Sequence, residues 1–180
     1  KLLYEEVGRD VEPLSPDNVV ILATGPLTGT VAPCSGRMEI TTKSPLTGHI
    51  GSGNTGGLWG ARLKYAGYDM VLIRGQAEKP VYVWIDDDKV EIREAGHLWG
   101  KDTKLTSDIL NEELDRSHTS KISVLTIGPA GENLVRYAHA LNDYYHSASR
   151  CGAGAIMGAK KLKAIAVRGT GSIKIAEPEE

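Results

Sequence analysis

The sequence has few of the residues that usually build metal sites or disulfide frameworks. It contains two cysteines and five histidines among 180 residues, and Cys34 and Cys151 lie 117 positions apart. No CxxC pair and no two histidines at ligand spacing are present, which argues against a disulfide framework. Two free thiols in a reducing compartment are the simplest interpretation, with a cluster or metal ligand as the alternative. Solvated or core-edge side chains are expected for His49, His97, His118 and His139.

The sequence also lacks the features of a membrane protein or a nucleic-acid-binding protein. Its net charge at pH 7 is -2 and its pI is about 6.2, so it has no bulk attraction for nucleic acid or an anionic membrane. No apolar run reaches the roughly 18 residues that a membrane span needs, and no signal peptide is visible at the start. We therefore expect a cytoplasmic protein that holds any anionic ligand locally.

The rest of the composition is that of a folded domain. With 41% hydrophobic and 24% charged residues, the chain can bury one substantial core, and a single domain over residues 1–180 is the default. The chain begins without Met on KLLYEEV and stops on EPEE without a terminating signal. We expect a piece of a longer protein whose downstream domains are absent here.

Strand patterns dominate the first half. Apolar or alternating residues predict strands in NVVILATG, RMEITTK and YDMVLIRG, and a short helix in GLWGARLKYAG that ends at Gly67. KPVYVWIDDDKVEIREA predicts a β-hairpin with Val81, Val83 and Ile85 on one face and a solvated turn at its three aspartates. KDTKLTSDILNEELDR predicts a surface helix with an apolar stripe. This order of elements does not alternate as βαβ units do.

The second half of the sequence repeats the first. VLTIGPAG echoes ILATGPLTG, with Gly25 and Gly128 103 positions apart, and CGAGAIMGAKKLKAIAVRG echoes GGLWGARLKYAGYDMVLIRG. In the second pair the Gly-Ala dipeptides at 60–61 and 158–159 are 98 positions apart. We interpret this as an internal duplication that is too long for a solenoid repeat. The predicted fold is α+β, with two related, mainly antiparallel half-sheets and short helices at the glycine loops.

Each half has a glycine-rich stretch just before a predicted helix. Glycine lets backbone N–H groups approach a ligand, and the start of a helix adds unpaired N–H donors and a positive dipole end. Two such loops related by an approximate twofold axis would suit a ligand with two anionic arms. Arg37 and Arg150, which lie near these loops in the sequence, could add charge-assisted contacts.

Two other interpretations of the glycines stay open. Residues 51–56 spell GxGxxG before a helix, which is the pattern of a dinucleotide site. However, no strand runs straight into the first glycine, and the next strand ends in Arg74 rather than in an acid, which would at best favour NADP. Alternatively, the glycines only make tight turns.

Several blocks along the chain resemble one known family. They are TGPLTGT, SGR, TKSPLTG, NTGG, LKYAGYD, AEKPVYVWI, HLWGKDT, IGPAGENLVRYA and GAIMGAKKLKAIAVRG. Together and in this order they are similar to the N-terminal domain of the aldehyde ferredoxin oxidoreductase family, over about residues 13–176. Ordered blocks over nearly the whole chain are more specific than a single glycine motif.

The resemblance implies a ligand for the duplicated loops. Members of that family hold tungsten, or sometimes molybdenum, between two pterins with phosphate tails, on a platform formed by this domain. By motif, Arg37 of SGR is expected between a pterin and a 4Fe-4S cluster that is bound mainly by the absent domains. Asn54, Gly56 and Gly57 of NTGG are expected at a pterin phosphate, with the Asn54 carbonyl reaching a magnesium ion that links the two phosphates.

The related loop of the second half is expected to do the same from the other side. The resemblance implies contacts there from His146, Ser147 and Arg150, with Ser147 at the magnesium ion. The family's usual form of this loop is Arg-Ala-Ala-Gly-Arg-Gly-Gly, so a histidine replaces an arginine at 146, and Ser149 and Cys151 replace glycines. Because histidine is only partly charged at neutral pH, we expect a weaker and pH-dependent grip on that phosphate.

The resemblance also sets expectations for the parent protein. It implies an enzyme that oxidises an aldehyde to a carboxylic acid with ferredoxin as acceptor, whereas this fragment alone is inactive. A homodimeric parent is also an expectation from the resemblance. The alternative is a parent that keeps the fold as a non-catalytic scaffold or interaction subunit of a redox complex. In that case the altered loop at 146–151 would mark a lost cofactor.

Overall fold

A computed structural model describes residues 1–115 and 122–174 of the chain. The strands in these ranges are β1 (Val20–Thr24), β2 (Met38–Lys43), β3 (Ile50–Thr55), β4 (Met70–Ile73), β5 (Val81–Asp86), β6 (Lys89–Glu94), β7 (Ile122–Thr126), β8 (Ala140–Asn142), β9 (His146–Ala148) and β10 (Leu162–Arg168). The helices are α1 (Leu2–Glu6), α2 (Trp59–Tyr65), α3 (Thr103–Leu114), α4 (Pro129–Glu132) and α5 (Ala153–Ala159). No helix among the described residues is long and apolar enough to cross a membrane.

The strands form two sheets that are almost entirely antiparallel. The smaller sheet has the order β3-β2-β1-β4, and the larger has the order β6-β5-β10-β7-β8-β9. The pair β5–β10 is parallel, and every other pair in the two sheets is antiparallel. The predicted α+β class with mainly antiparallel half-sheets is confirmed.

The strand order also confirms the internal duplication. The order β3-β2-β1-β4 of the smaller sheet recurs in the larger sheet as β9-β8-β7-β10, and a seven-residue helix precedes the last strand of each set. Leu22 pairs with Val71 in the first half, and Leu125 pairs with Ile165 in the second. The hairpin β5–β6 extends the larger sheet beyond the repeated unit.

The strand register corrects one detail of the predicted repeat. Val71 and Ile165 are 94 positions apart, and so are the residues that end the helices, Ala66 and Lys160. The Gly-Ala pair at 60–61 therefore corresponds to 154–155 rather than to 158–159. Gly67 ends α2 with φ of +96°, as predicted, and Lys161 at the equivalent position has φ of +55°. Both helices thus stop by the same left-handed turn.

Each of the two repeated helices packs against strands of both halves. α2, from the first half, contacts β7 and β10 as well as β1, and α5, from the second half, contacts β1 and β2 as well as β10. The indole Nε1 of Trp59 in α2 donates to the carbonyl oxygen of Ile165 in β10 at 2.9 Å. The main hydrophobic cluster accordingly contains buried residues of both sheets, such as Leu22 and Ile165. Neither half could bury its apolar face without the other.

The larger sheet is covered on its second face as well. Val83 and Ile85 of β5 lie in the main cluster, while Tyr82 and Trp84 lie in a second cluster with Leu110 of α3. Val81 packs against the main cluster too, so the predicted shared face of Val81, Val83 and Ile85 is confirmed, and the opposite face of this strand is covered as well. The surface helix predicted at 101–116 is α3, which covers this outer face. The last residue of the predicted range, 116, lies outside the described ranges.

Two segments differ from the sequence-based expectation. The predicted buried strand at 68–75 is β4, which is partly exposed because it forms the edge of the smaller sheet. The glycine loop at 51–56 is mostly β3, paired antiparallel with β2. A dinucleotide fingerprint requires a tight turn between a strand and a helix of a βαβ unit, so its glycines do not form that fingerprint here.

Gly158→Ala tests the close packing between α4 and α5. A methyl group at Gly158 would lie 2.0 Å from the carbonyl oxygen of Gly131. In an open helix alanine would add about 1 kcal/mol of stability, but here α5 must move away from α4. We expect the free energy of unfolding to fall by about 1–3 kcal/mol in chemical denaturation.

Gly96→Ala is the matched control, because no atom lies within 4 Å of the added methyl group. Its free energy of unfolding should stay close to that of the wild type. A Gly158→Ala protein as stable as the wild type would contradict the packing described here.

Candidate functional site

The outward face of the β2–β3 hairpin carries a row of linked polar side chains. Residues 51, 53 and 55 of β3 are buried, whereas Ser52 and Asn54 are exposed. Nη1 of Arg37 donates to Oδ1 of Asn54 at 2.6 Å, and Nδ2 of Asn54 donates to Oε2 of Glu39 at 3.0 Å. Ser52 donates to the other oxygen of the Glu39 carboxylate. The arginine and the asparagine predicted as site residues are therefore in direct contact.

The β8–β9 hairpin carries an equivalent row. Oγ of Ser147 lies 2.7 Å from Nδ1 of His139 and 2.7 Å from Oγ of Ser149. Oγ of Ser149 is also 3.3 Å from the same imidazole nitrogen. The three side chains form one hydrogen-bonded group at the surface.

The strand pairing shows which residues of the two rows correspond. Met38 pairs with Thr55 in the first hairpin, and Ala140 pairs with Ala148 in the second. Asn54 directly precedes Thr55, and Ser147 directly precedes Ala148. In the same way, Arg37 directly precedes Met38, and His139 directly precedes Ala140. The contact between Arg37 and Asn54 is thus repeated as the contact between His139 and Ser147.

The edges of the two hairpins meet at glycines. A methyl group at Gly51 would lie 2.8 Å from Cβ of Cys151, and one at Gly53 would lie 3.1 Å from the carbonyl oxygen of Ser149. A larger residue at Gly51 would push β3 away from Cys151, because real Cβ atoms essentially never come within 3.0 Å of another heavy atom, and one at Gly53 would require a smaller shift of its neighbours. The glycines of β3 therefore allow the two polar rows to lie side by side.

The structure divides the predicted loop at 146–150 between two faces. Because neighbouring residues of a strand point to opposite faces, His146 and Ser147 lie on opposite sides of β9. Ser147 joins the polar row, whereas the ring of His146 lies beside Gly56 and Gly57, with Nδ1 3.5 Å from a methyl group built at Gly56. His146 thus contacts the predicted phosphate loop of the first half. The exposed Arg150 has φ of +75° and corresponds in position to Gly57, whose φ is +89°.

The N-terminus of α2 is not free to bind an anion, contrary to the sequence-based expectation. Oδ2 of Asp143, in the β8–β9 turn, accepts hydrogen bonds from the backbone N–H groups of Leu58 at 2.6 Å and Trp59 at 3.1 Å. At α5, the N–H of Gly154 donates to the carbonyl oxygen of Ala138 at 3.0 Å. Atoms of the chain itself therefore already accept from N–H groups at both helix starts, which favours exposed side chains as the groups that would hold a ligand.

The cysteines are free and do not form a metal site. Cys34 is exposed, while Cys151 is buried against β3, and burial raises the pKa of its thiol. Among the described residues, no group of three or more histidine, cysteine, aspartate or glutamate side chains is placed to hold a metal ion. His49, His97 and His139 are exposed as expected, and His118 lies outside the described residues.

The donor groups at this surface fit a ligand with two anionic arms. The exposed guanidinium groups of Arg37 and Arg150 and the hydroxyl of Ser147 are suited to oxyanions. Two carboxylates lie nearby, and each already accepts two hydrogen bonds: that of Glu39 from Asn54 and Ser52, and that of Asp143 from the N–H groups of Leu58 and Trp59. Sequence analysis gave no binding role to His139, Ser149 or Asp143, although the position of His139 within the repeat could have revealed it.

The chain is similar over nearly its whole length to proteins of one family. Residues 1–169 match the family model described as aldehyde ferredoxin oxidoreductase, N-terminal domain. The tungsten-containing aldehyde ferredoxin oxidoreductase of Pyrococcus furiosus is 50% identical over 179 residues, covering 99% of this chain and 29% of that protein. The aliphatic sulfonate oxidoreductase, WOR-like subunit, of the same organism is 36% identical over 185 residues, covering 96% of this chain and 29% of the relative.

A solved structure shows the same fold. The active site complex BamBC of benzoyl coenzyme A reductase, in complex with 1,5 dienoyl-CoA, contains a chain with a TM-score of 0.94 and 45% identity. The match covers 99% of this chain and 27% of that one. The present chain thus spans less than a third of the length of these relatives.

Substitutions of Asp143 test its role at the start of α2. Asp143→Ala removes the acceptor for two backbone N–H groups, and we expect it to lower the free energy of unfolding by about 1–2 kcal/mol. Asp143→Asn keeps an acceptor oxygen and should lower the free energy of unfolding by less. Hydrogen exchange of the Leu58 and Trp59 amides should become faster in the alanine variant.

Asp88→Ala is the control, since Asp88 is an exposed residue of the β5–β6 turn and its carboxylate takes no part in the hydrogen bonds at the start of α2. It should leave exchange at Leu58 and Trp59 unchanged. Unchanged amide protection in Asp143→Ala would show that the carboxylate does not cap this helix.

Proposed function

Because the chain belongs to the aldehyde ferredoxin oxidoreductase family through its N-terminal domain, we propose that it is the cofactor platform of a longer oxidoreductase. The cofactor would be a bis-pterin of tungsten or molybdenum, bound across the β2–β3 and β8–β9 hairpins. Tungsten is named for several relatives of this chain. The chain alone would bind and orient, and would not catalyse.

The observation that carries this proposal is the repeated polar row. A ligand made of two like halves requires two like binding surfaces, and the corresponding positions of Asn54 and Ser147 on adjacent hairpins provide them. Under this proposal each row holds one phosphate-bearing arm. The Asn54 carbonyl and Ser147 would lie at a magnesium ion between the phosphates, with the backbone of Gly56 and Gly57 beside the first phosphate.

Side chains rather than helix starts would supply the positive charge. Arg37 is anchored through Nη1 on Asn54, and among the described residues its Nε and Nη2 groups have no hydrogen-bond partner, so they could donate to a pterin and to a neighbouring 4Fe-4S cluster. The ring of His146 beside Gly56 would face the first phosphate. Arg150 would serve the second arm.

When bound, the metal would supply the redox chemistry. In the parent protein an aldehyde and water would give a carboxylic acid, two electrons and two protons. We propose that the electrons leave through the 4Fe-4S cluster, held mainly by parts of the protein outside this chain, to ferredoxin. This domain contributes the orientation and the electrostatic environment of the cofactor.

Substrate choice would belong to other parts of the parent. The names of similar proteins refer to aldehydes, aliphatic sulfonates, glyceraldehyde 3-phosphate and benzoyl coenzyme A. A domain that stays similar while the named substrates differ does not choose the substrate. Its common task is more consistent with holding the cofactor.

Elemental analysis of the full-length parent tests the proposal. We expect tungsten or molybdenum near one per chain, together with pterin phosphorus and about four irons for one cubane cluster. The protein would be purified without oxygen from a host supplied with both metals. Absence of both metals and of pterin would overturn the proposal and favour the scaffold alternative.

Arg37→Ala tests the side-chain contacts. Because a hydrogen bond to a charged group contributes about 1.5–3 kcal/mol, we expect the variant to lose tungsten and pterin about tenfold faster on anaerobic dilution. Arg9→Ala removes another exposed arginine and should behave like the wild type. Equal cofactor loss from Arg37→Ala and Arg9→Ala would contradict a binding role for Arg37.

A further inference from the structure

We propose that His139 is a binding residue for the second arm of the ligand, at the position that Arg37 occupies for the first. This inference rests on the proposed function and adds a residue to which the sequence motifs gave no role. It follows from the internal repeat of this chain rather than from its motifs. The ligand group that His139 would recognise is a hydrogen-bond acceptor, either a phosphate oxygen or a carbonyl of the pterin ring.

The first argument is the correspondence of positions. Arg37 directly precedes Met38, which pairs with Thr55, and His139 directly precedes Ala140, which pairs with Ala148. Each of these two side chains crosses its hairpin diagonally and contacts the residue that directly precedes Thr55 or Ala148. In the first hairpin the contact is Arg37 to Asn54 at 2.6 Å, and in the second it is His139 to Ser147 at 2.7 Å.

The second argument is the way in which the imidazole is held. Both of its hydrogen bonds, to Ser147 and Ser149, are made by Nδ1. In the part of the chain that the structure describes, Nε2 has no hydrogen-bond partner, and the residue is exposed. The serines thus fix the ring at one nitrogen and leave the other to solvent, as Asn54 does with the guanidinium of Arg37.

The third argument is the direction of hydrogen bonding. A neutral imidazole carries its proton on one nitrogen and accepts at the other. When the Ser147 hydroxyl donates to Nδ1, the proton of the neutral ring lies on Nε2, which then donates outward, as the proposed role requires. The hydroxyl of Ser149 lies 2.7 Å from that of Ser147 and 3.3 Å from Nδ1, so it belongs to the same hydrogen-bonded group. Ser149 corresponds in position to Gly56. The second row therefore has a hydroxyl where the first has no side chain, and this hydroxyl contacts Nδ1 of His139.

The test compares cofactor retention in full-length holoprotein variants, by the rate at which tungsten and pterin are lost after anaerobic dilution. We expect His139→Ala to lose them about tenfold faster than the wild type. His139→Arg, which copies the first half, should lose them no faster than the wild type. His49→Ala, at an exposed histidine in the β2–β3 turn, should match the wild type.

A second readout separates binding from folding. Because His139 is an exposed side chain, the thermal unfolding midpoint of the cofactor-free protein should be the same in His139→Ala and in the wild type. A lowered midpoint of the cofactor-free variant would assign His139 a structural role and overturn the inference. Loss of tungsten and pterin from His139→Ala at the wild-type rate would also overturn the inference.

The failure of this inference and the failure of the proposed function give different results. If the wild-type parent carries no metal and no pterin, the proposed function fails. If Arg37→Ala loses the cofactor quickly while His139→Ala keeps it, the platform is correct and the role of His139 is wrong.

Discussion

The close approach of β3 to the segment 146–151 is the constraint on which the rest of the structure depends. Gly51 and Gly53 have no side chains at the points where Cys151 and the backbone of Ser149 come closest. This contact joins two halves that each lack a complete core, and the helix that follows each segment then packs against strands of both halves. Asp143 at the start of α2 and Trp59 within it tie α2 to the second half by hydrogen bonds. A side chain at either glycine would therefore disturb packing in both halves.

The same contact also places the two polar rows together. When two repeated hairpins meet edge to edge, their outward polar rows become one surface with two similar parts. The start of α2, which sequence patterns favoured as an anion site, instead links the two halves through Asp143. Under the proposed function, recognition is left to side chains such as Arg37 and His139, each anchored at one nitrogen. A ligand with two similar arms is the kind of molecule that such a surface fits.

Much of the fold could be predicted from local patterns, and most of the differences arise from long-range contacts. Alternating residues identified β2, and Gly67 marked the end of α2, because both signals are contained within a few residues. The glycines of β3 disguised a strand, since the reason for bare backbone there is the close approach of residues 149–151, about one hundred positions away in the sequence. The cap of α2 by Asp143 is equally remote in sequence. The role of His139 was hidden because the second hairpin is shorter: its paired residues are 8 positions apart rather than 17, so no single offset aligns the halves.

The most direct test of the two-part platform is anomalous diffraction at the tungsten and molybdenum absorption edges, from crystals of the full-length protein grown without oxygen. We expect one metal position near the approximate twofold axis between the two hairpins. We also expect one phosphate-bearing arm beside Asn54 and the other beside Ser147. A metal position away from this axis, or a phosphate bound at the start of α2 in place of Asp143, would show that the two hairpins do not form such a platform.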